Sequence, residues 1–465
     1  MTTSPLNIKS HQPQTVQSSN PVRALVHSPG FGMVMLTVVH PFLALAMRGS
    51  PLFATAHAFL TLGIGTLLAC FSRDTRKVAF VAAYVAGAEV LWRMTEAQIF
   101  WEAGKYFTIF ILGIALLRIR PWQRQTLPVL YFGLLCTSLV FTVSRLGVSS
   151  AARDAISFNL SGPLALMVCT LYFSQMTFDP HAIRWLIWWV VLPILGVAAL
   201  TLSNTLSTAQ ILFTGESNLA TSGGFGPNQV SAVLGLGGSL TLILFLRGRN
   251  FTQRWIALII AIGLLSLSGL TFSRGGLYNA GVMLIVVFAH YLRSTRTRMA
   301  VLTSLIVIGL VGGYLIFPRL NSITGGMLGQ RFANLDLTLR GQIAQADLTL
   351  WFANPVLGVG PGLSVTDRLG LLGYVDAAHT EYTRLLAEHG IAGLLALLLL
   401  LLMSIRAYLH APGLESQAWI SALLAWSLME MSHAAMRIVA ISFLFGLAMV
   451  NWGSQSRSAE QHEAG

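Results

Sequence analysis

The stretch Ile391–Leu409, IAGLLALLLLLLMSIRAYL, decides the fold class of this chain. It holds 19 residues and a single charged side chain, Arg406, near its end. About 20 predominantly apolar residues are needed for a helix to cross the hydrocarbon core of a bilayer. Because that core contains no water, the backbone must satisfy its own hydrogen bonds there, as a helix does. The stretch therefore predicts a transmembrane helix.

Runs of the same kind recur along the chain. Hydrophobic residues make up 54% of it, charged residues only 10%, and the mean hydropathy is +0.68, whereas soluble domains carry about 25% charged residues. We predict an all-α polytopic membrane protein with about 12–14 transmembrane helices and one large outer loop, residues 318–390, that contains amphipathic helices. A window of about 19 residues places the further spans at 31–47, 53–71, 78–98, 104–118, 127–143, 156–178, 183–203, 229–246, 255–273, 276–292, 299–317, 418–436 and 438–452.

The basic residues indicate the orientation. The 29 Lys and Arg residues give a net charge of +12, and they concentrate in alternate connections, which the positive-inside rule places in the cytoplasm. Topology therefore explains most of the charge, so we expect membrane lipid and not nucleic acid as a partner, with both termini cytoplasmic. The connections hold Arg73, Arg76, Lys77, Arg118, Arg120, Arg124, Arg184, Arg247, Arg249, Arg254, Arg293, Arg296, Arg298 and Arg406.

The polar ends are expected to be tails. Residues 1–28 read as a disordered cytoplasmic tail without the apolar core of a signal peptide, and residues 454–465 as a second tail. Between them, residues 29–453 form one integral membrane domain. Neither a disulfide framework nor a cysteine metal knuckle is possible, since the chain has three cysteines, all in predicted spans: Cys70, Cys136 and Cys169.

Ionisable side chains in a membrane span are costly, so each one suggests a function. Glu89, Arg93 and Glu96 follow the spacing i, i+4, i+7 and would share one helix face. They are typical either of a salt-bridge network between helices or of a site for a glycan or a lipid.

The segment Leu270–Leu277, LTFSRGGL, ends one span and begins the next at the outer surface. Its two glycines let a ligand approach the backbone, and the helix that follows offers free N–H groups. Arg274 there would bind phosphate oxygens bidentately; the alternative is an arginine that reaches lipid headgroups. The turn Gly223–Gln229 also lies on the outer side. It either lines a site or only serves as a turn in the loop.

The outer loop is too long for a plain connector. Its glycine-rich turn, Asn354–Gly362, lacks the Lys-Ser/Thr of a P-loop and the third glycine of a dinucleotide fingerprint, so nucleotide binding is not expected. An amphipathic helix should lie on the membrane surface before this turn, with Arg340 towards a cavity or headgroups. Its apolar stripe is Leu339, Ile343, Ala346 and Leu350.

His379 closes the loop at the mouth of the bundle. It is the residue of its helix face that could move a proton near neutral pH. A lone histidine is usually structural, but this one is predicted to lie beside several arginines. Glu381, Arg384 and Glu388 share another face and should form local ion pairs.

The spacing around His379 carries a resemblance to a known family. His379-Thr380, nine further residues and Gly390-Ile-Ala-Gly393 are similar to the signature of the O-antigen ligase and polymerase family, which is His followed by Asn, Ser or Gln, nine residues and Gly-x-x-Gly. Thr380 departs from the usual second residue.

Other elements follow in the order this family shows. Arg331-Phe-Ala-Asn-Leu335 looks like its Arg-x-x-x-Leu element, and Ser273-Arg274-Gly275, Arg340 and the Pro355–Gly362 turn are in place. The resemblance covers residues 220–405. It implies a transferase of the bacterial inner membrane that moves a glycan from undecaprenyl pyrophosphate onto a hydroxyl, at a site facing the periplasm.

Roles for individual residues follow from the resemblance. His379 would orient or deprotonate the acceptor hydroxyl, while Arg274 and Arg340 would bind the pyrophosphate that leaves. Weaker candidates for the pyrophosphate are Arg331, Arg153 and Arg145. No metal and no other cofactor is expected, because guanidinium groups would replace Mg²⁺ and the chain has no Asp-x-Asp motif. Chain-length regulators or export proteins are possible partners.

Three acceptors stay open within the family: lipid A-core, a second lipid-linked repeat of O-antigen or exopolysaccharide, and a protein hydroxyl. The alternative from another class is a transporter or flippase of lipid-linked glycans. Transporters tend to show repeats and a site at the midplane, whereas the polar residues here crowd the outer end.

Overall fold

The computed structural model describes residues 29–120, 122–123, 125–247, 251–334, 340–374 and 378–453. Both predicted tails lie outside the described residues. So do several residues that the sequence analysis used, namely Arg124, Arg249, Leu335 and Leu339.

The described chain is almost entirely helical. Hydroxyl and carboxylate caps begin several of the helices: Ser50 accepts from the Phe53 N–H, and Asp179 accepts from the Ala182 N–H, each just before a proline at the first helical position. The helices are α1 Pro29–Gly49, α2 Pro51–Phe71, α3 Lys77–Met94, α4 Ala103–Arg118, α5 Thr126–Cys136, α6 Leu139–Leu146, α7 Ser150–Phe173, α8 Pro180–Ser207, α9 Pro227–Arg247, α10 Phe251–Leu270, α11 Arg274–Tyr291, α12 Thr295–Leu310, α13 Phe317–Ile323, α14 Met327–Ala333, α15 Arg340–Ala353, α16 Ser364–Leu372, α17 Glu381–Leu409, α18 Leu414–Met431 and α19 Val439–Leu447.

The prediction of an all-α polytopic membrane protein is confirmed. Within the described ranges, eight helical segments are long and apolar enough to cross a membrane. Other predicted spans correspond to helices that are shorter or carry more charge, such as α3 and α18. The eight segments are Pro51–Phe71, Thr126–Leu146, Ser150–Phe173, Pro180–Ser207, Pro227–Arg247, Gln253–Leu270, Val301–Ile323 and Glu381–Leu409.

The last apolar run, predicted as a span at 438–452, differs from a span in the structure. Its helix, α19, has nine residues, all of them buried, and would extend only about 14 Å against a hydrocarbon core of about 30 Å. The chain then forms a two-residue strand, β2 (Asn451–Trp452), which pairs in parallel with β1 (Thr177–Phe178). The run is apolar because protein surrounds it. Hydropathy cannot distinguish a helix buried in protein from a helix exposed to lipid.

The basic connections meet at one end of the bundle. Arg118 at the end of α4 donates to the Ser72 carbonyl oxygen at 2.9 Å. Arg247 at the end of α9 pairs with Glu415 at the start of α18, with 2.6 Å between nitrogen and oxygen. Basic residues that alternate with other connections along the sequence therefore lie together at one end of the folded bundle.

The opposite end of the bundle carries the outer segment 324–380, which is largely helical. The candidate span Val301–Ile323 runs a few residues into the predicted loop, through a π-helical segment, Val311–Ile316. Helix α15 ends at Ala353, as Asn354-Pro355 predicted, and packs against α16 and α17.

Candidate active site

The candidate site lies where α11 begins. Phe272, with φ of 58°, turns the chain between α10 and α11, so that α11 starts at Arg274. Gly275 in its first turn lies directly against His433, because a Cβ at position 275 would stand 2.1 Å from the His433 Nε2 atom. The glycine is thus required for the close approach between the helix N-terminus and the imidazole.

Two arginines lie close together at this turn. The Arg274 guanidinium donates to the carbonyl oxygen of Asn334. Arg331 is buried and donates to the carbonyl oxygens of Phe272 at 3.0 Å and Gly215 at 2.6 Å. Burial lowers the pKa of Arg331, and the charge of Arg274 lowers it further, although a guanidinium stays charged at neutral pH. Arg331 therefore holds the turn in place, while Arg274 stands at the helix start.

Asn228 joins three helix starts. Its side-chain oxygen lies 3.5 Å from Nη2 of Arg340, the first residue of α15, and accepts a hydrogen bond from the Ser273 hydroxyl at 2.8 Å. Asn228 itself is the second residue of α9. The structure thus brings Arg340 close to the start of α11, where Arg274 lies.

Two histidines complete this arrangement. The backbone oxygen of His379 accepts from the Ala435 N–H at 3.1 Å, which places His379 beside the turn that contains His433. Burial lowers the pKa of His433, and with the charges of Arg340 and His379 the pKa falls to about 4. We call Arg274, Arg340, His379, His433 and Asn228 the outer cluster.

His433 and its neighbour Glu430 were missed by the sequence analysis. They lie within the apolar run 418–436, where their ionisable side chains were the signal that could have found them. The carboxylate of Glu430 lies 3.4 Å from His433 Nε2 and accepts a hydrogen bond from Asn279 on α11. The pair thus stands on the side of α11 that faces α18.

Arg145 and Arg153 lie in a different part of the outer end. Arg145 forms a bidentate ion pair with Asp367, with both distances 2.7 Å, and ties α6 to α16. Arg153 is exposed on α7 and pairs with Asp154 at 3.0 Å. Neighbouring carboxylates therefore engage both arginines, and the structure does not bring them to the outer cluster.

Glu89 and Arg93 of α3 form a salt-bridge network between helices, one of the two alternatives predicted from the sequence. Arg93 pairs with Glu89 at 2.8 Å and donates to the Gln229 side chain at 2.7 Å and to the Arg437 carbonyl oxygen at 3.3 Å. The expectation that Glu96 shares their helix face is wrong. It lies beyond the end of α3 with φ of 55°, because the helix has already ended at Met94.

The predicted ion pairs of α17 are confirmed and buried. Arg384 bridges Glu381 at 2.5 Å and Glu388 at 2.6 Å. A second buried pair, Asp347 with Arg368, joins α15 to α16, and the Thr383 hydroxyl donates to Asp347 at 2.9 Å. Burial raises the pKa of Asp347 although the Arg368 guanidinium opposes that shift. These contacts fix the outer helices on α17.

The backbone geometry explains why a glycine stands at position 390, the first glycine of the spacing that begins at His379. Gly390 interrupts the helical geometry of α17 with φ of 59°, and a Cβ there would lie 2.6 Å from the Pro355 carbonyl oxygen. At this kink the Ile391 N–H donates to the same oxygen at 2.8 Å. The glycine-rich turn therefore docks on α17 about three helical turns after His379.

An apolar groove of about 730 Å³ opens near the outer cluster. Leu277, which lines it, follows Arg274 by three residues on α11, and Leu328 and Phe332 of α14 form its upper end. Along its length it is lined by residues of α10, α12 and the π-helical segment.

The fold and the site define a polytopic α-helical membrane protein with a cationic, histidine-bearing cluster at the end of the bundle opposite the basic connections. Residues 267–398 match the family model described as O-antigen ligase. Over this segment the chain is similar to the O-antigen ligase family. The chain has no match among curated proteins. The matched segment contains three members of the outer cluster, Arg274, Arg340 and His379.

Proposed function

We propose that this protein transfers a glycan from an undecaprenyl-pyrophosphate-linked donor to an acceptor hydroxyl at the periplasmic face of the bacterial inner membrane. The observation that supports this proposal is the outer cluster. Two guanidinium groups, an α-helix N-terminus and two imidazoles lie close together there, although their residues are up to 159 positions apart, from Arg274 to His433.

The chemistry assigns a role to each group. The acceptor oxygen attacks the anomeric carbon, and its proton passes to the His379 imidazole. A new glycosidic bond forms as the bond from the anomeric carbon to the pyrophosphate oxygen breaks. The charge that develops on the departing pyrophosphate is stabilised by Arg274, Arg340 and the first N–H groups of α11.

The apolar groove supports a lipid-linked donor. A pyrophosphate held at Arg274 would leave its polyprenyl chain one helical turn from Leu277, where the groove opens. Apolar walls below a cationic mouth match a ligand that has an apolar tail and an anionic head.

His379→Ala in purified protein reconstituted in nanodiscs, supplied with donor and acceptor, tests the base assignment. We expect transfer to fall at least about a hundredfold, in the range typical for loss of a general base, with the melting temperature unchanged. His181→Ala, an exposed histidine at the basic end of the bundle, is the matched control. An unchanged rate in His379→Ala would exclude His379 as the base, and transport without transfer in wild-type vesicles would favour a flippase.

We also propose that the reaction needs no metal, because the guanidinium groups supply the positive charge. Activity should survive extensive chelation. Loss of turnover that Mg²⁺ or Mn²⁺ restores would contradict this proposal.

The glycans that accumulate in a strain lacking this gene would identify the acceptor. Accumulation of long polymer on the carrier lipid indicates a ligase that uses lipid A-core, whereas single repeats indicate a polymerase. Loss of glycan from proteins alone indicates a protein O-oligosaccharyltransferase.

A further inference from the structure

A second cleft opens at the outer end of the bundle, between the α3–α4 turn and α7. Its volume is about 690 Å³. Aromatic, charged and hydroxyl side chains line its walls. The lining residues are Phe100, Trp101, Glu102, Tyr106, Arg153, Asp154, Ser157 and Phe158.

Glu102 gives the cleft a buried carboxylate with one oxygen that lacks a hydrogen-bond partner. Only 5% of the residue is exposed. One carboxylate oxygen, Oε2, is bound by Lys105 and by the Ser161 hydroxyl at 3.3 Å. The other, Oε1, is buried and makes no hydrogen bond in the described structure. An unpaired buried acceptor is costly, so a hydroxyl donor from a ligand would satisfy it.

The aromatic side chains give the cleft apolar surfaces. Phe100 and Trp101 are 56% and 48% exposed, far more than aromatic residues in the core. The Arg93 guanidinium lies 4.5 Å from the centre of the Trp101 ring and donates to the Trp101 carbonyl oxygen at 2.9 Å, which holds the indole in place. On the other wall, Tyr106 and Ser157 share a hydrogen bond of 2.9 Å.

The cleft lies near the outer cluster. Phe158 lines it and also lines a smaller cavity bounded by Ala378 and Arg437. Ala378 is the residue before His379, and its carbonyl oxygen accepts from Arg437 at 2.9 Å. The cleft therefore lies close to His379 at the outer end of the bundle.

We propose that this cleft is a carbohydrate subsite, which binds the sugars of the acceptor or donor glycan next to the reacting ones. Sugars present apolar C–H faces, which pack on aromatic rings, and hydroxyls, which donate to carboxylates. Few ligands need both kinds of surface in one cleft; a lipid chain would not need Glu102, Asp154 and Ser157 beside the rings. The assignment to the transferred glycan rests on the proposed function, whereas binding of sugar in the cleft does not.

The test is a binding measurement that requires no turnover. The probe is the delipidated repeat-unit oligosaccharide, released from the carrier lipid of the producing strain by mild acid. Its binding to the full-length protein in nanodiscs is followed by saturation-transfer-difference NMR. Glu102→Gln and Trp101→Ala should each weaken binding about tenfold, or roughly 1.4 kcal/mol, and Trp101→Phe should keep most of it.

Trp122→Ala is the matched control, because Trp122 is also 48% exposed but belongs to the basic end of the bundle. Arg153→Ala, an exposed position, serves if the Trp101 variant does not fold. Unchanged affinity in Glu102→Gln and Arg153→Ala would overturn the proposal, as would native mass spectra in which these variants lose bound phospholipid and not oligosaccharide. Oligosaccharide binding without any transfer by the wild type would instead count against the proposed function alone.

Discussion

Arg274 and Arg331 show how two neighbouring guanidinium groups can differ in role. Arg331 is buried, and its hydrogen bonds close a turn. Arg274 is only partly buried and begins a helix whose N-terminus already favours an anion. Both donate to backbone carbonyl oxygens. We therefore expect Arg274, at the helix start, to be the one that contacts a pyrophosphate.

Arg274 should be more sensitive to substitution than its charge alone suggests. Arg274→Gln is expected to lower kcat/KM at least about a hundredfold, because an interaction with the departing charge is lost. Arg274→Lys should recover part of this activity, since lysine restores the charge but not the planar bidentate geometry. Steady-state kinetics with varied donor measures both. Equal activity of the lysine and wild-type enzymes would contradict a bidentate role.

The members of the outer cluster differ in how far the sequence predicts them. Arg274, Arg340 and His379 follow from polar residues at predicted outer positions and from motif spacing. The position of His433 at the site does not follow from the sequence, because it depends on contact with Gly275, 158 positions earlier in the chain. The ion pair of Arg145 could not be predicted for a similar reason: its partner Asp367 is brought to it only by tertiary structure.

At the scale of helices, the outer segment is anchored by buried charge. Arg340 and Asp347 are seven residues apart on α15, so they belong to one polar stripe of the helix. In the structure the stripe divides, since Arg340 reaches the outer cluster while Asp347 is fully buried against Arg368. Pairing between two helices of one outer segment cannot be derived from helical periodicity, which describes one helix at a time.

Removal of one partner of this pair should loosen α15 and α16. Asp347→Ala is expected to destabilise the protein by about 3 kcal/mol, because an uncompensated arginine stays buried. Asp154→Asn, in an exposed pair, should cost less than about 1 kcal/mol. Thermal unfolding in detergent and limited proteolysis of the outer segment measure the effect. Joint replacement, Asp347→Leu with Arg368→Met, should recover much of the loss; no recovery would show that the charge itself is needed.

The kink at Gly390 predicts a second effect on the same elements. Gly390→Ala should destabilise the docking of the glycine-rich turn by about 2 kcal/mol or more, since the backbone is left-handed and the Cβ would clash with Pro355. Gly113→Ala in α4 meets no atom within 4 Å and should stabilise the helix slightly. The two melting temperatures should thus move in opposite directions. A Gly390 variant as stable as the wild type would contradict the structural role of the kink.

For the whole molecule, hydropathy predicts the membrane helices well and their environment poorly. The apolar runs at 53–71 and 438–452 look alike in sequence, yet α2 has a largely exposed surface and α19 is enclosed by other helices. Only the tertiary arrangement decides whether apolar residues face lipid or protein. The distribution of charge is more informative, because it groups the connections of the bundle into two ends.

The basic end of the bundle is predicted to face the cytoplasm and the outer end the periplasm. This orientation decides which compartment supplies the acceptor. In a variant without Cys70, Cys136 and Cys169, a cysteine at position 148, where Val148 is 100% exposed, should react with an impermeant maleimide in intact spheroplasts. A cysteine in place of Arg120, at the basic end, should react only after lysis.

The segment that contains Val148 follows Arg145, whose ion pair with Asp367 joins it to the outer helices, so its labelling reports the side on which the outer cluster lies. Labelling of position 120 in intact spheroplasts would contradict the positive-inside assignment. It would place the outer cluster in the cytoplasm, where an acceptor assembled on the periplasmic face could not reach His379.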